Sequence, residues 1–319
     1  MASEGGKRLN AAAELDAAAL SGSALGVDLL SREEFPVLYL AAAHSSQLSQ
    51  QRFLAASRLR LAALVTAAVC GTVSVFLGRL DLTAVGAAAG LGAALVVEVY
   101  LLRVRPERKW YDARAAAESA KTLAWRYLVA GQPFGKERGG ERQADRLLLT
   151  RLMEITKDLR GFAPVPLADS SLQITAGMRK VRALSLKERR LHYLQGRIKD
   201  QQAWYTGRAE FNERRATQWS VLLAAFEALG LMAAVLKAAR AIDFDLTAIF
   251  AALATAAVAW LQTKQHDTLA SAYAIAALEL ADVASRVEGP ASEAEWAHFV
   301  DEAEEAISRE HTLWRASHT

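Results

Sequence analysis

Four apolar runs, set in two pairs, constrain this chain more than anything else in it. Leu61–Gly78 carries no charge, and Leu82–Leu102 is interrupted only by Glu98. Trp219–Leu236 is interrupted by Glu227, and Leu246–Leu261 carries no charge. A hydrocarbon core of about 30 Å takes about 20 helical residues to cross. The first two runs meet that length. The last two reach roughly 24–27 Å and need interfacial residues or local thinning. The competing reading is a soluble Ala-rich bundle, since Ala is nearly neutral for insertion. The third run decides least: its Leu, Val and Phe residues, each worth about −0.3 to −0.6 kcal/mol, must outweigh a central carboxyl that costs about 3 kcal/mol. Pairing favours the membrane. Only Arg79–Asp81 separates the first two runs and Lys237–Asp245 the last two, so each pair is expected to form an antiparallel hairpin.

Charge then sets the expected orientation. Arg52, Arg58 and Arg60 precede the first run, and Arg103, Arg105, Arg108 and Lys109 follow the second. Arg208, Arg214 and Arg215 precede the third, and Lys264 follows the fourth. The hairpin tips hold only Arg79, Lys237 and Arg240. By the positive-inside rule both termini and the central region are cytoplasmic, in a multi-pass membrane protein. Tyr100, Trp219 and Trp260 fall at the same edge, where amphipathic rings prefer to sit. No signal peptide is expected: Met1–Asn10 is polar, and Glu14 and Asp16 break the next stretch.

The rest reads as helix. Pro36 opens a helix running through His44–Arg60 into the first span, and Glu107–Ala130 continues out of the second to Gly131-Gln132-Pro133, a stop signal. Glu141–Leu159 places Leu148, Leu152, Ile155 and Leu159 on one face. Ser185-Leu186-Lys187-Glu188 is a capping box opening a long helix into the third span, and Ser292–Glu295 caps the last. The expected fold is all-α: a four-span membrane protein of two helix–hairpin–helix repeats with cytoplasmic helical extensions. Residues 1–34 form a polar, Ala-rich segment, and residues 35–160 the first repeat, with spans 61–78 and 82–102. The Pro-rich stretch 161–171 is a linker, and residues 172–319 form the second repeat, with spans 219–236 and 246–261.

Reactive chemistry is sparse. Cys70, the single cysteine, lies in an apolar run and excludes an internal disulfide. The six histidines make no HExxH or i, i+4 pair, so no metal, cofactor or enzymatic activity is expected. A net charge of +3 gives no case for nucleic acid. Glu302, Glu304 and Glu305 read as a solvated helix face. Trp110, Tyr111, Trp125, Trp204 and Tyr205 read as packing between cytoplasmic helices. The informative carboxyls are Glu227, in mid-span, and Glu98, one turn from a span end. Gly86, Gly90 and Gly92 are the candidate helix-packing positions, Gly86 and Gly90 forming a GxxxG. Arg103, Arg105, Arg108 and Lys109 are expected to anchor the chain at the inner leaflet, where anionic lipid is the sharper alternative.

Several groups of residues, in order around the two hairpins, carry a family resemblance. Trp110-Tyr111, Arg114, Glu118, Lys121, Trp125, Tyr127 and Pro133-Phe134 follow the first hairpin. Glu188-Arg189, Tyr193, Arg197, Gln201, Trp204-Tyr205, Ala209 and Asn212 lead into the second, and Glu305, Ile307, Glu310 and Trp314 lie in the tail. This order, from about Phe35 onward, resembles the SLATT superfamily of two-transmembrane effectors of prokaryotic nucleotide-signalling conflict systems. The resemblance implies a homo-oligomeric membrane effector in antiviral defence, pore-forming on activation by an upstream protein or nucleotide signal. A non-conducting scaffold coupled to a partner is the alternative. The chain has no Gly-rich phosphate loop in which to sense a nucleotide itself.

The orientation can be checked by cysteine labelling in intact cells on a Cys70→Ser background. An impermeant reagent should label cysteines at Arg79–Asp81 and Lys237–Asp245 and leave Ser171→Cys unlabelled. The reverse pattern would exclude this topology.

Overall fold

The computed structural model describes residues 29–158 and 172–316; the expected linker at 161–171 and most of the 1–34 segment lie outside that range. The elements are α1 (Val37–Cys70), a ribbon of β1 (Phe76–Leu77) and β2 (Leu80–Asp81), α2 (Leu82–Val104), α3 (Pro106–Leu128), α4 (Glu141–Asp158), α5 (Ala176–Ala183) and α6 (Leu186–Tyr193). A π-helical turn, Leu194–Lys199, joins α6 to α7 (Asp200–Ala238). Then come α8 (Leu246–Lys264), α9 (His266–Arg286) and α10 (Glu293–Ala316). The fold is all-α, and four of its helical stretches are long and apolar enough to cross a membrane.

The chain divides into two units, and each unit draws on both repeats. One comprises residues 46–110 and 207–273 and holds the hairpins; the other comprises 1–45, 111–206 and 274–319. The hairpin unit turns its apolar side chains outward. Only 6–17% of each most apolar 18-residue window is buried. Leu91, Leu95, Val96, Val221, Leu231 and Met232 are all exposed. A surface this apolar would be a liability in water and is what lipid requires. The second unit is built the other way. Leu128, Phe134, Leu148, Leu152, Met178, Ile198, Trp296 and Val300 are buried. An aromatic series runs Phe35–Trp125–Tyr193–Trp296–Phe299, with ring centroids 5.6–6.1 Å apart. Trp125 and Tyr205 are buried here, as the sequence predicts.

Two boundaries differ from expectation, and a third break repeats the second. The first apolar run is helical only to Cys70. Gly71 and the β-branched Thr72, Val73 and Val75 hold a helix poorly, and Gly78 (φ 64°) turns the chain into the ribbon. Val73, Val75, Phe76, Leu77 and Leu80 are exposed at this tip and extend the apolar length that Leu61–Cys70 leaves at roughly 15 Å. Second, the helix leaving the second span is broken: Arg105 adopts a left-handed φ of 47° before Pro106 opens α3. Third, Gln265 (φ 48°) makes the same break between α8 and α9. At both breaks the amide donates to a carbonyl four residues back, Leu101 or Leu261, a helix C-cap of one design used twice.

The tips repeat as well. Asp81-Leu82-Thr83-Ala84 and Asp245-Leu246-Thr247-Ala248 open the two returning helices. Asp81 accepts from the Thr83 and Ala84 amides at 3.0 and 3.1 Å. Asp245 accepts from Ala248 at 3.2 Å and pairs with Lys237 Nζ at 2.7 Å. These partners, Thr83 first for Asp81 and Lys237 first for Asp245, hold both carboxyls below the usual aspartate range, outside the spans.

Small residues set how closely the helices approach within each hairpin. A Cβ at Gly90 would stand 2.8 Å from the Ala63 carbonyl oxygen and 3.0 Å from the Ala67 Cβ. At Gly86 it would meet Cys70 Sγ at 3.1 Å, whereas at Gly92 it would meet nothing within 4 Å. Gly86 and Gly90 therefore pack the first hairpin and Gly92 takes no part. In the second, Gly230 faces Phe250 at 3.4 Å. Gly90→Leu should lower hairpin stability by about 1–3 kcal/mol through overpacking against backbone that cannot give way. Gly92→Leu should be nearly silent in thermal unfolding of the detergent-solubilised protein; equal losses at both would refute this packing.

Candidate functional site

Two features stand out, one in each unit. In the hairpin unit α7 carries a polar stripe. Glu213, Thr217, Ser220, Ala224 and Glu227 recur at three- and four-residue spacing, and all are exposed. Helical geometry stacks such residues along one face, here over roughly 21 Å. The stripe starts outside the span, enters it at Ser220 and reaches its middle at Glu227, beyond which Leu231 returns the face to apolar character. Among the described residues Glu227 has neither a hydrogen-bond nor an ion-pair partner. A bare carboxyl at mid-depth is expensive in lipid, and such groups usually face a protein interior or water. Ser220 and Thr217 were not singled out from sequence; reading α7 outward from Glu227 at helical period would have found them.

Glu98 is placed differently. It forms an ion pair with Arg60 across the first hairpin, so each charge is offset by the other. Arg103, Arg105 and Arg108 are exposed and Lys109 is half-buried. Among the described residues no three His, Cys, Asp or Glu side chains gather as metal ligands.

In the other unit three arginines are almost fully buried, at 0–1% exposure, and their partners explain why. Helix α3 ends with carbonyls that no amide inside the helix can satisfy. Arg182 donates to the carbonyls of Tyr127 (2.8 Å) and Phe134 (2.9 Å) and pairs with Glu141 at 2.6 Å. Its guanidinium lies 4.8 Å from the Tyr127 ring centroid. Arg189 donates to the Val129 carbonyl at 2.7 Å and pairs with Glu293. Trp296 Nε1 donates to the same carbonyl at 2.7 Å. Cations at a helix C-terminus also complement its dipole. Burial first, then the hydrogen bond to Asp145 at 2.5 Å, raise the Tyr127 hydroxyl well above its usual pKa.

The third arginine is held by a carboxylate. Arg197 grips Glu304 with two bonds, Nε to Oε1 at 2.9 Å and Nη2 to Oε2 at 2.7 Å. Tyr193 donates to the same Glu304 at 3.0 Å and Thr122 at 2.9 Å. Arg197 also reaches Gln201, which accepts from Lys121 Nζ at 3.3 Å. Burial opposes the Arg197 charge, but Glu304 and Tyr193 outweigh it and hold the guanidinium above its ordinary pKa; burial beside Glu304 raises the Tyr193 hydroxyl. The π turn aims Arg197 and Ile198 inward together, and Gly196 admits the Trp125 ring, since a Cβ there would stand 2.9 Å from it.

Glu304 corrects the sequence reading. Glu302 and Glu305 are exposed, and Glu302 pairs with His298, but Glu304 is fully buried. A surface glutamate and a buried one look alike in a run of acids; α10 turns this one toward Arg197. Tyr193, Arg197, Gln201 and Lys121, noted above only for their order, meet here.

Comparison with known families agrees with this two-repeat layout. Residues 36–190 match the SMODS and SLOG-associating 2TM effector domain 3, and residues 193–314 match the SMODS and SLOG-associating 2TM effector domain 1. No curated protein and no solved structure matches. Each match contains one hairpin. Arg182 and Arg189 fall in the first, and Arg197 and Glu304 in the second.

The buried pair gives a sharp stability test. Glu304→Leu leaves Arg197 charged, buried and without its carboxylate, and should cost about 3–5 kcal/mol. The double variant Glu304→Leu/Arg197→Met should recover much of that loss in thermal unfolding. A single variant no less stable than wild type would mean the pair does not hold this unit.

Proposed function

The chain is a tandem of two SLATT domains, the two-transmembrane effectors of conflict systems, and on that footing we propose that it permeabilises the membrane when an upstream signal activates it. The observation that carries this reading is Glu227, a mid-span carboxyl on an exposed stripe with no partner among the described residues. In a monomer it would face lipid at a cost of about 3 kcal/mol. In a ring of copies the stripe of Thr217, Ser220, Ala224 and Glu227 faces a common axis instead, and water there solvates every carboxyl. Rings of acidic side chains favour cations in such a path. The proposed protein is thus a homo-oligomer of a prokaryotic inner membrane, with both termini cytoplasmic, acting without catalysis in antiviral defence.

Activation needs two packings of similar free energy. The hairpins pack on Ala and Gly with few large interlocking side chains, as at Gly90 against Ala63 and Ala67. A signalling protein or nucleotide needs a preference of only a few kcal/mol between two packings to shift their populations. Helix α1 runs unbroken from Val37 to Cys70 and α7 from Asp200 to Ala238, so each is a stiff rod by which such a signal could reach a span.

The test is ion flux from liposomes holding the purified, oligomeric protein together with the genomic-neighbour partner and its signal, beside membrane-potential dye readings in expressing cells. Wild type should conduct. Glu227→Gln should insert at equal level and lose cation preference and toxicity. No flux with partner and signal present would remove the pore and leave a non-conducting scaffold; a fully active Gln variant would remove Glu227 from the path.

A further inference from the structure

Where the second hairpin leaves the membrane, cations from two helices converge on one indole, and a third cation lies nearby. The Arg58 guanidinium of α1 lies 5.1 Å from the Trp260 ring centroid and Lys264 Nζ of α8 lies 5.7 Å from the same ring. Trp260 itself is buried, and its ring lies 6.3 Å from that of Trp219 of α7 at a tilt of 52°. Arg215, one turn before Trp219, packs over Phe211 and donates to Gln218 at 3.1 Å. Behind them His266 is buried, its Nδ1 2.7 Å from Asn212 Oδ1.

Charge balance makes this cluster unusual. Lys264 is half-buried, and the charges that bear on it are those of Arg58, Arg208 and Arg215, all positive. Burial, then those cations, hold its ammonium below the ordinary lysine range; burial, then Lys264 and Arg215, push His266 down to about 4. All lie outside the spans. Among the described residues no carboxylate forms an ion pair with Arg58, Arg215 or Lys264. Arg60 by contrast has Glu98, the buried arginines have carboxylates or carbonyls, and Arg103 and Arg105 are exposed. Arg58 and Arg215 are exposed, but cations gathered about a half-buried ammonium without an anion repel one another, and an anion between them relieves that cost. Two guanidinium forks and an ammonium suit a phosphate, and paired tryptophans suit the level of lipid headgroups.

We propose that Arg58 and Lys264, over the Trp260 ring, together with Arg215 form a binding site for one phosphate-bearing anion at the headgroup level of the hairpin unit. The phosphate arrives on an anionic phospholipid or as a soluble anion. Arg58 belongs to the first repeat and the other two to the second, so the bound phosphate ties the hairpins together.

The full chain in detergent is titrated with short-chain phosphatidylglycerol, short-chain phosphatidylcholine and inorganic phosphate. Native mass spectrometry counts bound lipid, and the thermal midpoint is the second readout. Phosphatidylglycerol should bind and raise the midpoint, and phosphatidylcholine should do neither. Lys264→Gln and Arg58→Gln should each weaken binding about tenfold, the worth of one charge-assisted contact. Lys264→Arg should retain binding, which separates loss of a ligand from loss of fold. Arg142→Gln/Arg146→Gln, which removes two exposed positive charges from the other unit, should leave binding unchanged. Inorganic phosphate that competes with the lipid, or binds where the lipid does not, assigns the site to soluble phosphate as well or instead; phosphate without effect assigns it to lipid. Equal binding of the two lipids with no effect of phosphate, or equal weakening in the Arg142/Arg146 variant, overturns the proposal.

Discussion

Hydrocarbon supplies neither hydrogen bonds nor counter-charge, and the division of this molecule follows from that. Polar backbone must be satisfied within each spanning segment, which leaves helices and short caps as the available forms. The ribbon at the first tip pairs its own backbone, and Asp81 and Asp245 satisfy the first amides of the helices that return. Two carboxyls at or beside the spans are paired and a third is not. Glu98 has Arg60 and Lys237 has Asp245, while Glu227 has no partner among the described residues. That exception makes α7 the informative helix of the four.

The other unit solves the opposite problem. Its helices must be tied together in a core that is also rich in charge. Arginine suits this because one guanidinium can serve several acceptors in a fixed fork. Arg182 and Arg189 close off the carbonyl end of α3, and Arg197 with Glu304 fastens the π turn to α10, with Thr122 of α3 sharing the carboxylate. Such pairs add less to net stability than their distances suggest, because desolvation opposes them, but removing one partner is costly. They therefore fix which helices meet. Arg182 with Tyr127 and Phe134 works inside the first family match and Arg197 with Glu304 inside the second, while Arg189 with Glu293 and Thr122 with Glu304 join the two.

The two SLATT domains are fused in sequence and share both units. Each contributes a hairpin with an Asp-Leu-Thr-Ala opening and a left-handed break at its exit, Arg105 or Gln265. The likeness of the two hairpins is thus clearest at the caps, where local geometry demands particular residues, and faint along the spans, where many apolar residues serve.

Length and hydropathy alone determined that there are four spanning helices in two hairpins, and cap chemistry alone gave the starts at Ser185 and Ser292, because both depend on residues within a few positions of one another. The ends were less legible. Leaving the helix at Cys70 and breaking it at Arg105 and Gln265 depend on small differences in propensity that a neighbouring hairpin or an αL cap can tip. Burial of particular charges could not be read at all. Glu302, Glu304 and Glu305 are chemically alike in sequence, and only the packing of α10 against the π turn puts Glu304 beside Arg197. Gly86, Gly90 and Gly92 looked equivalent, yet only the first two face α1. The convergence of Arg58 and Lys264 on Trp260 joins residues about two hundred positions apart. Local sequence fixes which segments can be helices and which can lie in lipid, since those are short-range properties of the backbone and side chain. Which charges meet is a matter of long-range contact, and only the tertiary structure decided it.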